Sequence, residues 1–494
     1  MDTARKLLVA SALAALVFVF LLWRRPDDQP NRPTKVPLVV LCAAGLKPPV
    51  ESVAKAYERT YGVPIQLQYG GSGTLLSSLK AGGRGDLIVA ADESYLLSAR
   101  TDGLVAEIIP LAHMTPVIAV LKGNPKSIGS LDDLLRVRVA LANPEAAAIG
   151  SLVRDYLRKT GRWDALEKHV RVFKPTVPDI ANDIKLGAVD AGIVWDATVS
   201  QYPELEMIKV AGLSANEQRL SVGVLKSTQQ PAAALRFARY LGAVDRGLKE
   251  FAKFGYLPMD GDVWAERPEV VLFSGGVNRL AIETTIQQFE QREGARVIRV
   301  YNGCGILVSQ MKAGQHPDAY LACDTSFVPP VQDLFTDPVN VSETDIVLLV
   351  AKGNPLEIRT LEDLGRPGLK IGVANVEQST LGALTDRLLR ELGLQERVAP
   401  NIKVRTPTAD LLVNQMRTGS LDVVVVYEVS SSQVRDALTL VPIKHPWAKA
   451  VQPYVVGKQG KHQMLMGRLQ AAICSAESRK RYEALGFRWR ADKN

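Results

Sequence analysis

Gly70-Gly-Ser-Gly73 stands directly after the apolar segment 65–69 and directly before the amphipathic stretch 74–80. Glycines at the opening of a helix let backbone N–H groups approach a ligand closely, and a helix N-terminus favours negative charge. Ser72 adds a hydroxyl donor at little steric cost. Two further turns share this setting: Ala43-Ala-Gly-Leu46 after 38–42, and Asn143-Pro-Glu-Ala146 leading to Ile149-Gly150. One such turn alone is an ordinary helix cap. A series of them, each at the end of an apolar run, fits a site that holds a small anion by amides and hydroxyls. Other chemistries lack their residues. No GxxxxGK[ST] supplies a phosphate-binding lysine, and no HExxH or CxxC offers metal ligands. The four cysteines (Cys42, Cys304, Cys323, Cys474) and five histidines are scattered. Neither a Ser-His-Asp order nor a defensible pair of catalytic carboxylates is present, so the chain does not read as an enzyme.

The same turns occur twice. Tyr69-Gly-Gly-Ser-Gly-Thr-Leu75 is answered by Tyr301-Asn-Gly-Cys-Gly-Ile-Leu307, 232 residues on. Lys80-Ala-Gly82 matches Lys312-Ala-Gly314, Lys122-Gly-Asn-Pro125 matches Lys352-Gly-Asn-Pro355, and Gly187-Ala-Val-Asp190 matches Gly419-Ser-Leu-Asp422. Matches in order at a nearly constant, long offset denote a duplicated domain rather than a solenoid. The units run over 37–265 and 268–492, joined at Ala265-Glu-Arg-Pro268.

Within each unit short apolar runs alternate with amphipathic stretches. In the first, 38–42, 65–69, 87–90, 117–121, 137–141 and 192–195 read as strands, and 48–60, 150–159 and 178–186 as helices. This alternation predicts an α/β fold with largely parallel sheets, whose ligands sit beyond the carboxyl ends of the strands. Asp92 and Asp324 read as helix caps, and Cys42 as the buried end of a strand. Trp195 fits either a core position or a ligand wall. Cys304 reads first as an inert substitution, with a reactive thiol at a helix N-terminus as the alternative.

Composition sets the outer bounds. A chain of 494 residues with 47% apolar and 23% charged residues is globular and too long for one domain. A net charge of +8 is compatible with anionic ligands or an anionic membrane surface, and lacks the concentrated basic stripe of a nucleic-acid binder. Residues 1–36 stand apart: an apolar run over 7–23, flanked by Arg5-Lys6 and Arg24-Arg25, then a Pro-rich tether. The run closes with Phe-Leu-Leu-Trp-Arg-Arg rather than an A-x-A-like pattern, which favours an uncleaved transmembrane anchor over a signal peptide.

The ordered series A-A-G-L, Y-G-G-S-G-T-L, K-A-G-G-R-G-D-L-I-V-A-A-D, K-G-N-P, L-D-D-L, A-N-P and G-A-V-D-A-G-I-V-W resembles the molybdate-binding proteins of ABC importers, in the type II periplasmic-binding-protein superfamily. The resemblance covers nearly all of both units. It implies two α/β lobes per unit that close on a tetrahedral oxyanion such as molybdate or tungstate, held by neutral hydroxyls and amides, with no other cofactor and no metal. It implies an ABC permease as partner and an extracytoplasmic, membrane-tethered location. Carried onto this sequence, the ligand positions of the first unit are Gly45, Ser72, Ile149, Val177 and Trp195; those of the second are Gly276, Cys304, Leu381, Ala409 and Tyr427. Two family serines are replaced in the second unit, by Gly276 and Cys304. In the first, one serine is replaced by Gly45 and the tyrosine by Trp195, whose indole N–H still donates. At about 1.5–3 kcal/mol for each hydrogen bond to a charged group, two lost donors weaken binding by roughly 10²- to 10⁴-fold. A second reading therefore stands beside transport: a sensor or scaffold whose altered solute-binding domains signal to a partner.

Overall fold

Leu38-Val-Val-Leu-Cys-Ala43 carries no charged or hydrogen-bonding amide or hydroxyl side chain, and such a run suits a strand buried on both faces. In the computed structural model, which describes residues 36–432 and 434–493, strand Leu38–Ala43 runs parallel between Ile65–Gly70 and Leu87–Ala90, with Cys42 fully buried. The helix that follows, Lys47–Tyr61, buries Val50, Val53, Ala54 and Tyr57, the stripe of one helix face. It starts with prolines in its first turn and ends at Gly62 in the left-handed conformation. The second unit repeats the device: strand Glu269–Gly275, helix Arg279–Glu293, and left-handed Gly294. The expected anchor lies outside the described residues, and among these no helix is long and apolar enough to cross a membrane.

The first unit consists of two sheets. One has six strands, in the order Leu257–Pro258, Val105–Met114, Gln218–Leu225, Leu87–Ala90, Leu38–Ala43, Ile65–Gly70. The other has five, in the order Val172–Lys174, Val139–Ala142, Ala191–Trp195, Pro116–Leu121, Leu205–Ile208. The expectation of largely parallel sheets needs correction, because both are mixed. Val105–Met114 leaves the first lobe and Gln218–Leu225 re-enters it, and these two strands pair antiparallel. Gln218–Leu225 is antiparallel to Leu87–Ala90 as well, and Pro116–Leu121 to both its neighbours. Val105–Met114 and Gln218–Leu225 did not stand out in the sequence.

The lobe crossing differs between the units for a covalent reason. Pro116 pairs with Trp195, and its counterpart Ile346 pairs with Tyr427. Ile346 donates its N–H to the Ala448 carbonyl at 2.8 Å, and one strand, Val339–Ala351, runs through both lobes and joins the second unit's strands in a single sheet of ten. Proline has no N–H to give, and the first unit's strand breaks at Thr115. Asp196 secures the break. Its carboxylate accepts from Thr115 N–H at 3.0 Å, and its own N–H donates to the Thr115 carbonyl at 2.9 Å.

The two units are joined by a built junction. Helix Pro231–Leu241 of the first packs on helix Arg279–Glu293 of the second. Glu293, 2% exposed, accepts from Arg468 at 2.6 and 3.2 Å, and Arg239 of the first unit lies 3.7 Å from the same carboxylate. Arg239 also donates to the carbonyls of Glu293 and Ala265 at 3.1 and 3.3 Å. Burial pulls the Arg239 guanidinium below its ordinary range, with Glu293 opposing the shift. Asp262, near the end of the first unit, accepts from the N–H groups of Met464 and Leu465 at 2.8 and 2.9 Å, capping helix Gln463–Ile473 across the junction.

Removing one member of a buried charge cluster leaves the others uncompensated, at a cost of about 3–5 kcal/mol. Glu293→Gln is therefore expected to lower stability by about that amount in urea denaturation. A loss under about 1 kcal/mol would show the cluster to be adequately solvated without its carboxylate.

Candidate functional site

In the first unit the turns predicted from sequence do converge. The cleft between the lobes is lined by Gly45, Ser72, Ile149, Val177 and Trp195, together with Ala91 and Thr176 among others. Gly45 lies in the 3₁₀ turn Ala44–Leu46, Ser72 opens helix Ser72–Lys80, Ile149 is in the first turn of Ala148–Lys159, Val177 opens Val177–Lys185, and Trp195 ends strand Ala191–Trp195. Three helix N-termini thus meet in one place, and none has a side-chain cap. Of their first-turn N–H groups, those of Gly73 and Thr74 are taken by the Ala146 carbonyl and that of Gly150 by Ala147; the groups at the very start of each helix have no acceptor within it. No ionisable side chain lines the cleft, whose cavity is about 20 Å³. One water needs roughly 10–15 Å³ on this scale, so the lobes stand nearly shut.

Ser72 is 2% exposed, and its oxygen accepts from Ala91 N–H at 3.1 Å. That bond uses the oxygen as acceptor and leaves the hydroxyl proton to be donated. Tyr256 donates to the Gly45 carbonyl at 2.6 Å and so pins the first glycine turn. Neither Ala91 nor Tyr256 emerged from the sequence as a site residue. The repeat itself held a signal for Tyr256, which stands in Phe254-Gly-Tyr256 where the second unit has Leu485-Gly-Phe487.

The glycines flanking Ser72 serve a purpose the sequence did not disclose. A Cβ on Gly71 would stand 2.1 Å from the Ala146 carbonyl oxygen of the other lobe, and one on Gly73 would stand 2.6 Å from that of Glu145. Gly73 and Thr74 donate their N–H groups to Ala146 at 3.0 and 3.3 Å. The second unit has the same contact, with Cβ atoms on Gly303 and Gly305 falling 2.2 and 1.8 Å from the carbonyl oxygens of Gln378 and Glu377. The Gly-x-Gly pair is the surface on which one lobe closes against the other.

The second cleft, also about 20 Å³, is built differently. Gly276, Ala409 and Tyr427 line it, with Cys323 and Asp410; Cys304 and Leu381 are not among the lining residues and are fully buried. The strand registers place Ala43 opposite Gly70 and Gly275 opposite Asn302, so Gly276 corresponds to Ala44, and Gly45 to Val277. The Tyr427 hydroxyl is buried without a hydrogen-bond partner among the described residues, and burial holds its pKa well above the usual phenol value. Asp92 and Asp324 are caps, accepting from Ser94 and Ser326 N–H at 2.7 and 3.0 Å. Among the described residues no cluster of side chains is suited to a metal ion.

The model of one family, bacterial extracellular solute-binding protein, matches residues 38–257 and again 270–488. The chain belongs to this family. Its relatives are each the size of one unit. A protein of Haemophilus influenzae named "Putative binding protein" is 26% identical over 45% of this chain and 91% of its own length. "Putative ABC transporter substrate-binding lipoprotein YvgL" of Bacillus subtilis is 28% identical over 45% of this chain and 86% of its own. Molybdate-binding protein ModA of Mycobacterium tuberculosis is 28% identical over 44% of this chain and 84% of its own.

Gly73→Ala tests the closing contact. Alanine at this helical position is intrinsically better than glycine by about 1 kcal/mol, yet its Cβ strikes the facing lobe. Hydrogen exchange of the Thr74 amide is expected to lose protection at least tenfold while global stability holds or rises. Unchanged protection would show that the lobes accommodate the methyl group.

Proposed function

We propose that the protein is a membrane-tethered, extracytoplasmic solute-binding protein that captures a small oxyanion of the molybdate or tungstate type for an ABC importer. The first unit, 37–265, is the capture site. The single observation that carries this reading is the first cleft: three uncapped helix N-termini and a buried serine hydroxyl face one small space that no ionisable side chain enters. Such a cleft stabilises a compact anion by donors alone. It also discriminates. An oxyanion that keeps a proton near neutral pH, as phosphate does, needs an acceptor for that proton, and no carboxylate lines the first cleft. A fully ionised oxyanion needs none. Capture is lobe closure, without a covalent step; the apolar segment over 7–23 serves as the tether.

The second unit, 268–492, does not take the same ligand in this reading. Cys304 replaces the serine hydroxyl with a much weaker donor, and Asp410 brings a carboxylate to the cleft. Both changes work against an oxyanion. The alternative role for that unit is contact with a signalling partner or with the permease, for which the Tyr427 hydroxyl, without a hydrogen-bond partner among the described residues, is a free polar group in the cleft.

Calorimetric titration of the purified protein with molybdate, tungstate, sulfate and phosphate checks the assignment. One oxyanion is expected to bind at micromolar or tighter Kd, with a stoichiometry of one per chain and phosphate weakest. Ser72→Ala is expected to weaken binding by about 10- to 150-fold, the range of roughly 1.5–3 kcal/mol for one hydrogen bond to an anion. Absence of heat with all four would overturn the oxyanion reading. Binding that survives Ser72→Ala but disappears in Tyr427→Phe would move the site to the second unit.

A further inference from the structure

At the second cleft stands a pair of cysteines that the first lacks, Cys323 in its lining and Cys304 directly behind it. The Sγ atoms of Cys304 and Cys323 lie 2.9 Å apart, and Cys323 donates its backbone N–H to Cys304 Sγ at 3.1 Å. The same bond in the first unit runs from Ala91 N–H to Ser72 Oγ, also at 3.1 Å. The scaffold has thus kept its geometry and exchanged a serine and an alanine for two thiols. A third position changed with them. Ala43 has become Gly275, and a Cβ at 275 would stand 2.1 Å from Cys323 Sγ and 3.0 Å from Cys304 Sγ. A methyl group is missing where the two sulfurs need the space. Cys304 opens helix Cys304–Lys312, while Cys323 lines the cleft, so the pair is reached from there.

We infer that Cys304 and Cys323 form a reversible redox pair, closing to a disulfide at the floor of the second cleft. The two thiols are unequal partners. Burial raises the Cys304 thiol, but its hydrogen bonds with the Cys323 thiol and backbone N–H outweigh this and bring its pKa down. Cys323, hydrogen-bonded to Cys304 and buried, is pushed well above its usual value. Cys304, at the opening of a helix where a thiolate is favoured, is the nucleophile and Cys323 resolves it. The separation is close to a disulfide bond of about 2.0 Å, so little movement is needed.

Hydrogen peroxide, little larger than a water molecule, is the oxidant class we assign to this small cleft. The Cys304 thiolate attacks one peroxide oxygen; the O–O bond breaks, hydroxide leaves and a sulfenic acid forms. The Cys323 thiolate then attacks the Cys304 sulfur; the S–S bond forms, the S–O bond breaks and a second hydroxide leaves. The two thiol protons convert the hydroxides to water. Two thiols are oxidised by two electrons in total, and one peroxide is reduced to two waters. A dithiol reductant reverses the bond.

The test treats the folded full chain with hydrogen peroxide, alkylates remaining thiols and digests with trypsin, which cuts at Lys312 between the two cysteines. Mass spectrometry is expected to show peptides 300–312 and 313–352 joined, two hydrogens lighter than their sum and separated by dithiothreitol. Cys42, buried and with its thiol raised by burial, stays unmodified until the chain is unfolded and serves as the folding control. Cys304→Ser and Cys323→Ala carry the residues the first unit uses in the same places, so both variants should fold. In Cys323→Ala a dimedone probe is expected to trap Cys304 as sulfenic acid; in Cys304→Ser Cys323 is expected to remain a thiol. Recovery of both cysteines as free thiols from oxidised wild-type protein would overturn the inference. So would over-oxidation of Cys304 with Cys323 still free.

Discussion

Backbone meets backbone where each unit closes. The carbonyls of Glu145 and Ala146 lie against Gly71 and Gly73, and those of Glu377 and Gln378 against Gly303 and Gly305. At these distances no side chain fits between the lobes, and in the first unit the contact includes amide hydrogen bonds from Gly73 and Thr74 to Ala146. Much else follows from it. The helix that the glycines open must start at the lobe boundary, so its residue between the glycines, Ser72 or Cys304, is buried at the base of the cleft. The facing loop must carry its carbonyls toward that helix, which turns the N-terminus of Ala148–Lys159 to the same cleft. The closing contact and the candidate site are therefore one construction. A mutation at the glycines acts on the site through the position of a lobe rather than through a ligand contact.

The duplication shows which parts of that construction are constrained. Both units keep the glycine pair, the left-handed glycine after the first long helix, and the sulfur- or oxygen-accepting bond behind the turn. They differ at the crossing strand, where Pro116 breaks a ladder that Ile346 continues. A broken strand tied by Asp196 and an unbroken strand of 13 residues do not bend alike. Lobe motion in the second unit must work against a continuous hydrogen-bonded sheet, in which bending costs ladder geometry. The first unit has a single residue, Thr115, at which to turn. The unit with the uncharged, serine-bearing cleft is thus also the one whose crossing strand is interrupted.

Local pattern carried much of this. The apolar run at Leu38–Ala43, the stripe of Lys47–Tyr61 and the glycine turn before Ser72–Lys80 depend on neighbours in sequence, and periodicity or composition reveals them. The repeat added the unit boundaries to the reading, and the resemblance brought together five positions that do line one cleft. What stayed hidden depends on partners far along the chain. That Gly71 and Gly73 face Ala146 is a matter of lobe closure, and a flanking glycine in sequence looks the same whether it meets a ligand or a carbonyl. Tyr256 reaches Gly45 across 211 residues. The antiparallel strands Val105–Met114 and Gln218–Leu225 belong to the crossings, and their direction is set by where the chain must return. Gly276 fell one place from the counterpart of Gly45 because Ala-Ala-Gly and Gly-Gly-Val align equally well by residue type; only the strand register decides.

The junction between the units bears on how a doubled protein can act. A flexible tether would make two independent binding domains whose only coupling is effective concentration. Here Glu293 stands between two arginines from different units, Asp262 of the first unit caps a helix of the second, and Trp264, just before the joint, packs edge-on against Tyr240 of its own unit with ring centres 4.9 Å apart. These contacts are buried or nearly so, and buried charge tolerates little relative displacement because its partners must be kept. The helix Pro231–Leu241, which supplies Arg239 and Tyr240, also packs on the long strand Gln218–Leu225 that returns from the other lobe of the first unit. The lobe of the first unit that carries Ser72 is therefore fixed to the second unit, and the lobe carrying Ile149 and Val177 is the one left to move. In the proposed capture, closure of the first cleft would work against a foundation that includes the whole second unit, which would give the duplicate a mechanical part whatever its own cleft contains.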